Sequence, residues 1–99
     1  MSVYMIMIRE KTKDEEAFKA YGEAAAAAMP GHDLTPLAFY GPHEVFEGAA
    51  AEGVVLVRFP DADAAKAWYN SPAYNAAKKL RFQGADYRVI MVDGIDAGK

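Results

Sequence analysis

Residues 3–8 and 54–59 of this chain are apolar on both of their alternating faces. The first run reads Val-Tyr-Met-Ile-Met-Ile, with Val3, Met5 and Met7 on one side and Tyr4, Ile6 and Ile8 on the other. The second reads Val-Val-Leu-Val-Arg-Phe, and Arg58 is its one charge. Both have the length of a strand, and a strand of this kind is usually covered on both sides. A chain of 99 residues has the size of a single domain, here residues 1–99, and few elements with which to cover two faces of a sheet.

The apolar fraction of 53% and the charged fraction of 25% suit a globular protein. No apolar run is long enough to span a bilayer. The first residues lack the basic region, apolar stretch and small-residue cleavage site of a signal peptide. With no cysteine, disulfides, thiol catalysis and thiolate metal sites are excluded. A cytoplasmic location is the expectation. The net charge of −3 and the acidic pI near 5.3 argue against nucleic acid as a partner.

After the first run, Thr12 and Glu15 have the spacing of a capping box, and Asp14, Glu15 and Glu16 put acid at a helix start. The spacing predicts a helix to about Met29, stopped by Pro30-Gly31. Phe18, Tyr21, Ala25 and Ala28 form its apolar stripe, and the alanines 24–28 allow close packing. Residues 34–40 read as a strand, and Pro36 suits an edge position. Residues 43–47 could add a short extended piece, and 48–53 form a small-residue loop. Past the run at 54–59, Asp61 caps a helix, Asn70-Ser71-Pro72 breaks it, and Ser71 with Pro72 starts another segment. A last strand covers 86–93, and 93–99 form a short tail.

The order is β-α-β-β-α-β: an α+β, ferredoxin-like arrangement with an antiparallel sheet and helices on one face. The first and third strands are then central, and their second apolar face is left open. A second copy of the chain is the economical cover, so a homodimer is expected.

Trp68-Tyr69-Asn70-Ser71-Pro72-Ala73-Tyr74, followed by Lys79-Leu80-Arg81, resembles the second-helix signature of the family called domain of unknown function 1330. The Ala-rich lead-in after Phe59-Pro60, the ending Val92-Asp93-Gly94, and Tyr21 after Asp14 match as well. The resemblance implies the dimeric α/β-barrel superfamily, in which two ferredoxin-like sheets face each other. Asn70 stands where the family usually has Asp, and residues 32–37 lack an expected Gly-Gly-Arg. If that Arg binds the family's ligand, the ligand here differs. Haem-degrading members of the superfamily use a Trp and a His on the second helix. This chain has Trp68 and no histidine there, which argues against haem.

Tyr74, Ala77, Lys78 and Arg81 share one side of a helix, beside a core stripe of Ala73, Ala76 and Leu80. Tyr74 and Arg81, with Tyr21 from the first helix, are candidates for the polar end of a pocket that holds a small carboxylate or enolate. The bland alternative is an Arg that bonds last-turn carbonyls and pairs with a nearby acid. Arg58 is either a buried ion-pair partner or a pocket residue. His32 and His43, each followed by a carboxylate, are weaker candidates for a base, since no H-x-H or H-E-x-x-H spacing accompanies them. Trp68 and Tyr69 read as core, and Lys66, Lys78 and Lys79 as a solvated face. No phosphate loop, nucleophile elbow or nicotinamide fingerprint is present, so no metal or cofactor is expected and any catalysis is acid–base in type. Three roles stay open: a dimer that binds or scavenges a small organic acid or related metabolite, a cofactor-independent isomerase or monooxygenase on an activated acid or phenol, and a pure assembly module.

Overall fold

The computed structural model describes residues 2–95. The elements run β1 (Val3–Thr12), α1 (Glu15–Ala27), β2 (Thr35–Phe39), β3 (Gly53–Phe59), α2 (Ala62–Tyr69), α3 (Pro72–Gly84) and β4 (Ala85–Asp93). The sheet order is β2-β3-β1-β4, and every neighbouring pair is antiparallel. The arrangement is ferredoxin-like, and the two strands with the doubly apolar pattern are the central ones. Asp93 closes β4 and the Gly94 N–H donates to the Ser2 carbonyl, so the expected tail is strand at its start. Its residues 96–99 lie outside the described part.

The two alternating sets of the central strands separate cleanly. Val3, Met5 and Met7 of β1 and Val55, Val57 and Phe59 of β3 are buried beneath the helices. The other sets remain partly open: Ile6 lies across from Leu56 on one side and Ile90 on the other, and Tyr4 lies across from Arg58 and Val92. On β4, Ile90 and Val92 are exposed. The face away from the helices is therefore an apolar strip along three strands, with Arg58 and Arg88 toward its ends.

Helix starts follow side-chain chemistry, with one change from expectation. Asp61 accepts from the Ala64 N–H, and Ser71 Oγ accepts from the Tyr74 N–H with Pro72 in the first turn. In α1 the cap is Asp14, not Thr12: Asp14 Oδ1 accepts from Glu16 and Ala17. Thr12 is still strand, and its N–H and hydroxyl both go to Glu52 Oε1 at 2.8 and 2.6 Å. A carboxylate across the sheet edge outcompetes the local capping box. Residues 43–47 form no strand. On β2, Pro36 lies opposite Val57, and a register shift falls between Pro36 and Ala38.

The buried stripe of α3 also differs from the sequence reading. Ala73 and Ala76 are exposed, Leu80 is half-buried, and the helix buries Tyr74, Ala77, Arg81 and Gly84 instead. Gly84 explains part of this. A Cβ there would lie 2.6 Å from the Phe18 backbone nitrogen and 2.8 Å from its Cα, so only a hydrogen lets α3 approach α1 this closely. The Gly84 carbonyl also takes the N–H groups of Lys13 and Asp14. Backbone cannot swing aside as a side-chain tip can. Gly84→Ala is therefore expected to destabilise by about 1–3 kcal/mol, the range for overpacking. A urea midpoint equal to that of the parent would contradict the close crossing.

Candidate functional site

A pocket of about 590 Å³ lies between α1 and the helix-covered face of β2 and β3. Its walls come from Phe18 and Tyr21 on α1, Phe39 and Tyr40 at the end of β2, Val57 on β3 and Trp68 on α2. The exposed Lys19 and Glu23 sit at its rim. The small side chains of Gly22, Ala25 and Ala26 leave the space open on the α1 side. The volume is that of a site for a small organic molecule.

Tyr21 is the wall residue with the most developed backing. Its hydroxyl shares a 2.8 Å hydrogen bond with that of Tyr74, and Arg81 Nη1 donates to the Tyr74 oxygen at 3.1 Å. All three side chains are buried: Tyr21 is 5% exposed, Tyr74 0% and Arg81 3%. Arg81 has no carboxylate within ion-pair distance among the described residues. Its charge is met instead by phenol oxygen and by the ring of Tyr87, whose centroid is 5.4 Å from the guanidinium carbon. Its Nε has no hydrogen-bond partner. Burial alone would lower the Arg81 pKa, but Tyr74, Tyr69 and Tyr21 outweigh it, so the group stays charged.

A second phenol pair adjoins the first. The Tyr40 and Tyr87 hydroxyls are hydrogen-bonded, and the Tyr87 ring lies edge-on to Tyr21 at 6.1 Å. Arg9 stands over Phe18 at 4.2 Å and over Tyr40 at 5.0 Å, with Glu52 Oε1 3.9 Å from its Nε. With Tyr69, which touches both Arg81 and Tyr74, the cluster holds two guanidinium groups and five phenols.

Burial raises the pKa of Tyr21, Tyr40, Tyr74 and Tyr87 above the ordinary tyrosine value. In Tyr21 and Tyr87 the hydrogen-bonded partner phenol adds to the rise, and in Tyr74 and Tyr40 the partner phenol and Arg81 oppose it. At neutral pH these groups are therefore donors, not bases. For a group whose folded pKa is raised, the stabilisation is complete below the unfolded value of about 10 and is lost as pH rises above it. The expected result is alkaline unfolding in which tyrosinate absorbance and loss of circular dichroism appear together. Smooth ionisation of these phenols in a still-folded chain would contradict their burial.

The other candidates lie elsewhere. Arg58 is exposed on the open face, beside a small cleft of about 200 Å³ that includes Asp33 and Thr35. His32 sits in the turn after α1, where its N–H donates to the Met29 carbonyl. His43 is exposed in the loop between β2 and β3, with Nε2 2.8 Å from the Ala51 carbonyl. Among the described residues no group of three or more His, Cys, Asp and Glu could hold a metal ion. Among the same residues no helix is long and apolar enough to cross a membrane. The sequence reading passed over Tyr40, Tyr87 and Arg9. No periodic pattern marks them, because the approach of the Tyr40 ring to Gly53 is a contact between distant segments.

The model for DUF1330, a domain of unknown function, matches residues 2–95. The chain belongs to the DUF1330 family. No curated protein sequence matches this DUF1330 chain. Among solved structures, it is similar to a protein of unknown function from Rhodopseudomonas palustris, with a TM-score of 0.75 and 18% identity over 95% of this chain and 82% of the other. It is also similar to a dimeric ferredoxin-like protein of unknown function from Jannaschia, with a TM-score of 0.66 and 19% identity over 95% of this chain and all of the other. A cofactor-independent oxygenase from Streptomyces nogalater aligns with a TM-score of 0.60 and 9% identity, over 94% of this chain and 92% of the other. At these identities the likeness shows the ferredoxin-like fold that the DUF1330 chain shares with them.

Proposed function

We propose that this protein is a homodimer that binds a small organic acid or related metabolite in the pocket between α1 and the sheet. The observation that carries the reading is the 590 Å³ pocket, with Tyr21 in its wall and Arg81, which has no carboxylate partner among the described residues, two hydrogen bonds behind it. The ligand's apolar body would lie against Phe18, Val57 and Trp68. Its polar end would meet Tyr21, the contact residue. Tyr74 and Arg81 act through Tyr21: a phenol that is itself hydrogen-bonded in a chain ending on a guanidinium is a stronger donor. Arg58, on the other side of the sheet, belongs to the interface between copies in this reading, as do Ile6, Leu56 and Ile90. The dimeric ferredoxin-like neighbours support the assembly.

The test is a thermal and calorimetric titration with benzoate and 2-naphthoate on the parent, Tyr21→Phe and Arg81→Lys. A ligand at a hundred times its Kd should stabilise the folded parent by about 2.7 kcal/mol. Tyr21→Phe should weaken binding most, and Arg81→Lys less, because Lys keeps the charge and loses the planar fork. No response from the parent to either acid would overturn the reading.

A second reading is a cofactor-independent oxygenase acting on an activated phenol, favoured by the fold shared with the Streptomyces nogalater enzyme. Neutral phenols and arginines could stabilise an oxyanion but not generate one from a weak acid, so the substrate would arrive easily ionised. Oxygen uptake with a hydroquinone above the protein-free rate supports this reading, and its absence removes it.

A further inference from the structure

Tyr40 is a non-glycine residue with φ of 55°, a conformation that aromatic side chains rarely adopt. Three features hold it there. Gly53 faces its ring, and a Cβ at Gly53 would lie 2.6 Å from Tyr40 Cδ1 and 3.2 Å from Arg9 Nη2. Its hydroxyl is tied to Tyr87, and its N–H donates to the Val54 carbonyl. Its ring is gripped by Phe18 at 6.1 Å, edge-on, and by the Arg9 guanidinium. Arg9 is itself held by the Glu52 carbonyl and carboxylate, and that carboxylate by Thr12. Strain maintained by so many surrounding contacts is characteristic of ligand sites. The Tyr40 ring lines the pocket and, unlike Tyr21 and Tyr74, is only half-buried.

We propose that the pocket takes an aromatic ring bearing a phenolic or enolic oxygen, and that Tyr40 is the residue that selects for that oxygen. The inference rests on the pocket being a ligand site, as proposed above, and narrows its ligand class. Phe18, Phe39, Tyr40 and Trp68 enter from three separate segments, and such walls favour a flat ring over a flexible chain. Three cations are near, Lys19 at the rim with Arg9 and Arg81 behind Tyr40 and Tyr74, and they favour an oxygen that carries negative charge. Tyr40, tied to one neighbour by a single hydrogen bond, has the capacity for another.

The experiment compares 4-nitrophenol with 4-nitroanisole, in which a methyl group caps the oxygen, by calorimetry on the parent, Tyr40→Phe and Gly53→Ala. The parent should prefer the phenol by about tenfold or more, the worth of one charge-assisted hydrogen bond. Tyr40→Phe, which keeps the ring wall, should bind the two probes about equally. Gly53→Ala, which displaces that ring, should weaken the phenol. Where Tyr40→Phe loses its circular dichroism, Tyr87→Phe carries the test and should reduce the same preference. An unchanged preference in the Tyr variant that folds overturns the role of Tyr40 and leaves the pocket reading standing. A parent that binds both probes equally overturns the phenol class alone. A parent that binds neither, nor the two carboxylate probes above, overturns the inference and the pocket reading together.

Discussion

An Ile6→Lys chain is expected to sediment as one chain where the parent sediments as two. Ile6 is the centre of the face that the helices leave uncovered, with Leu56 across from it on β3 and Ile90 on β4. In a two-fold dimer built on that face, both copies would bring the new ammonium group into the contact. An ion taken from water without a partner costs several kcal/mol even after relaxation. Each 1.4 kcal/mol is tenfold in Kd, so the dimer should weaken by at least about a thousandfold. The fold should survive, because Lys at position 6 faces away from the Val3, Met5 and Met7 set beneath the helices. A monomeric parent at micromolar concentration, or a dimeric variant, would remove this face from the assembly.

Trp68→Ala should cost about 3–5 kcal/mol of folding stability, the usual loss for a buried aromatic. The indole is 5% exposed and packs on Phe59 at 5.6 Å and on Tyr74 at 4.1 Å between ring centroids. Trp68→Phe should be far milder. The indole Nε1 is buried with no hydrogen-bond partner, a penalty of about 1–3 kcal/mol that Phe does not carry. Urea midpoints of the two variants decide it. A loss below about 1 kcal/mol for Trp68→Ala would mean that the ring contributes little beyond lining the pocket.

The fold was legible where local chemistry and global packing agree. The two-faced strands 3–8 and 54–59 marked the sheet centre, and Asp61 and Ser71-Pro72 marked two helix starts. Legibility failed where a distant group decided. Thr12 looked like a cap until Glu52, forty positions away in sequence, claimed its donors. The buried stripe of α3 was read through Ala73, Ala76 and Leu80, because phenol and guanidinium look like edge groups. Tyr74 and Arg81 enter the core because each satisfies the other, and because Gly84 lets the helix approach. Tyr21, Tyr74 and Arg81 were named together from helical spacing, and the structure brings them into one hydrogen-bonded chain. Arg58 and the two histidines stand apart from it. Tyr40 was invisible because a positive φ and the clearance at Gly53 are tertiary facts with no periodic signature.

The uneven edge strand β2 has a consequence for how far assembly can go. A strand with bare N–H and C=O groups invites a neighbour to add to it, and repeated addition gives fibrils. β2 spans only Thr35–Phe39, is exposed throughout, and presents Leu37 and Phe39 to solvent. That composition is a liability. Pro36 removes one donor from this short edge, and the irregularity before Ala38 breaks its register. On the opposite edge, β4 carries Asp86, Arg88 and Asp93. β2 is a short and irregular template, and the nine-residue β4 is guarded by those charges. A chain released from its partner by a charge on the open face should therefore remain dispersed rather than polymerise.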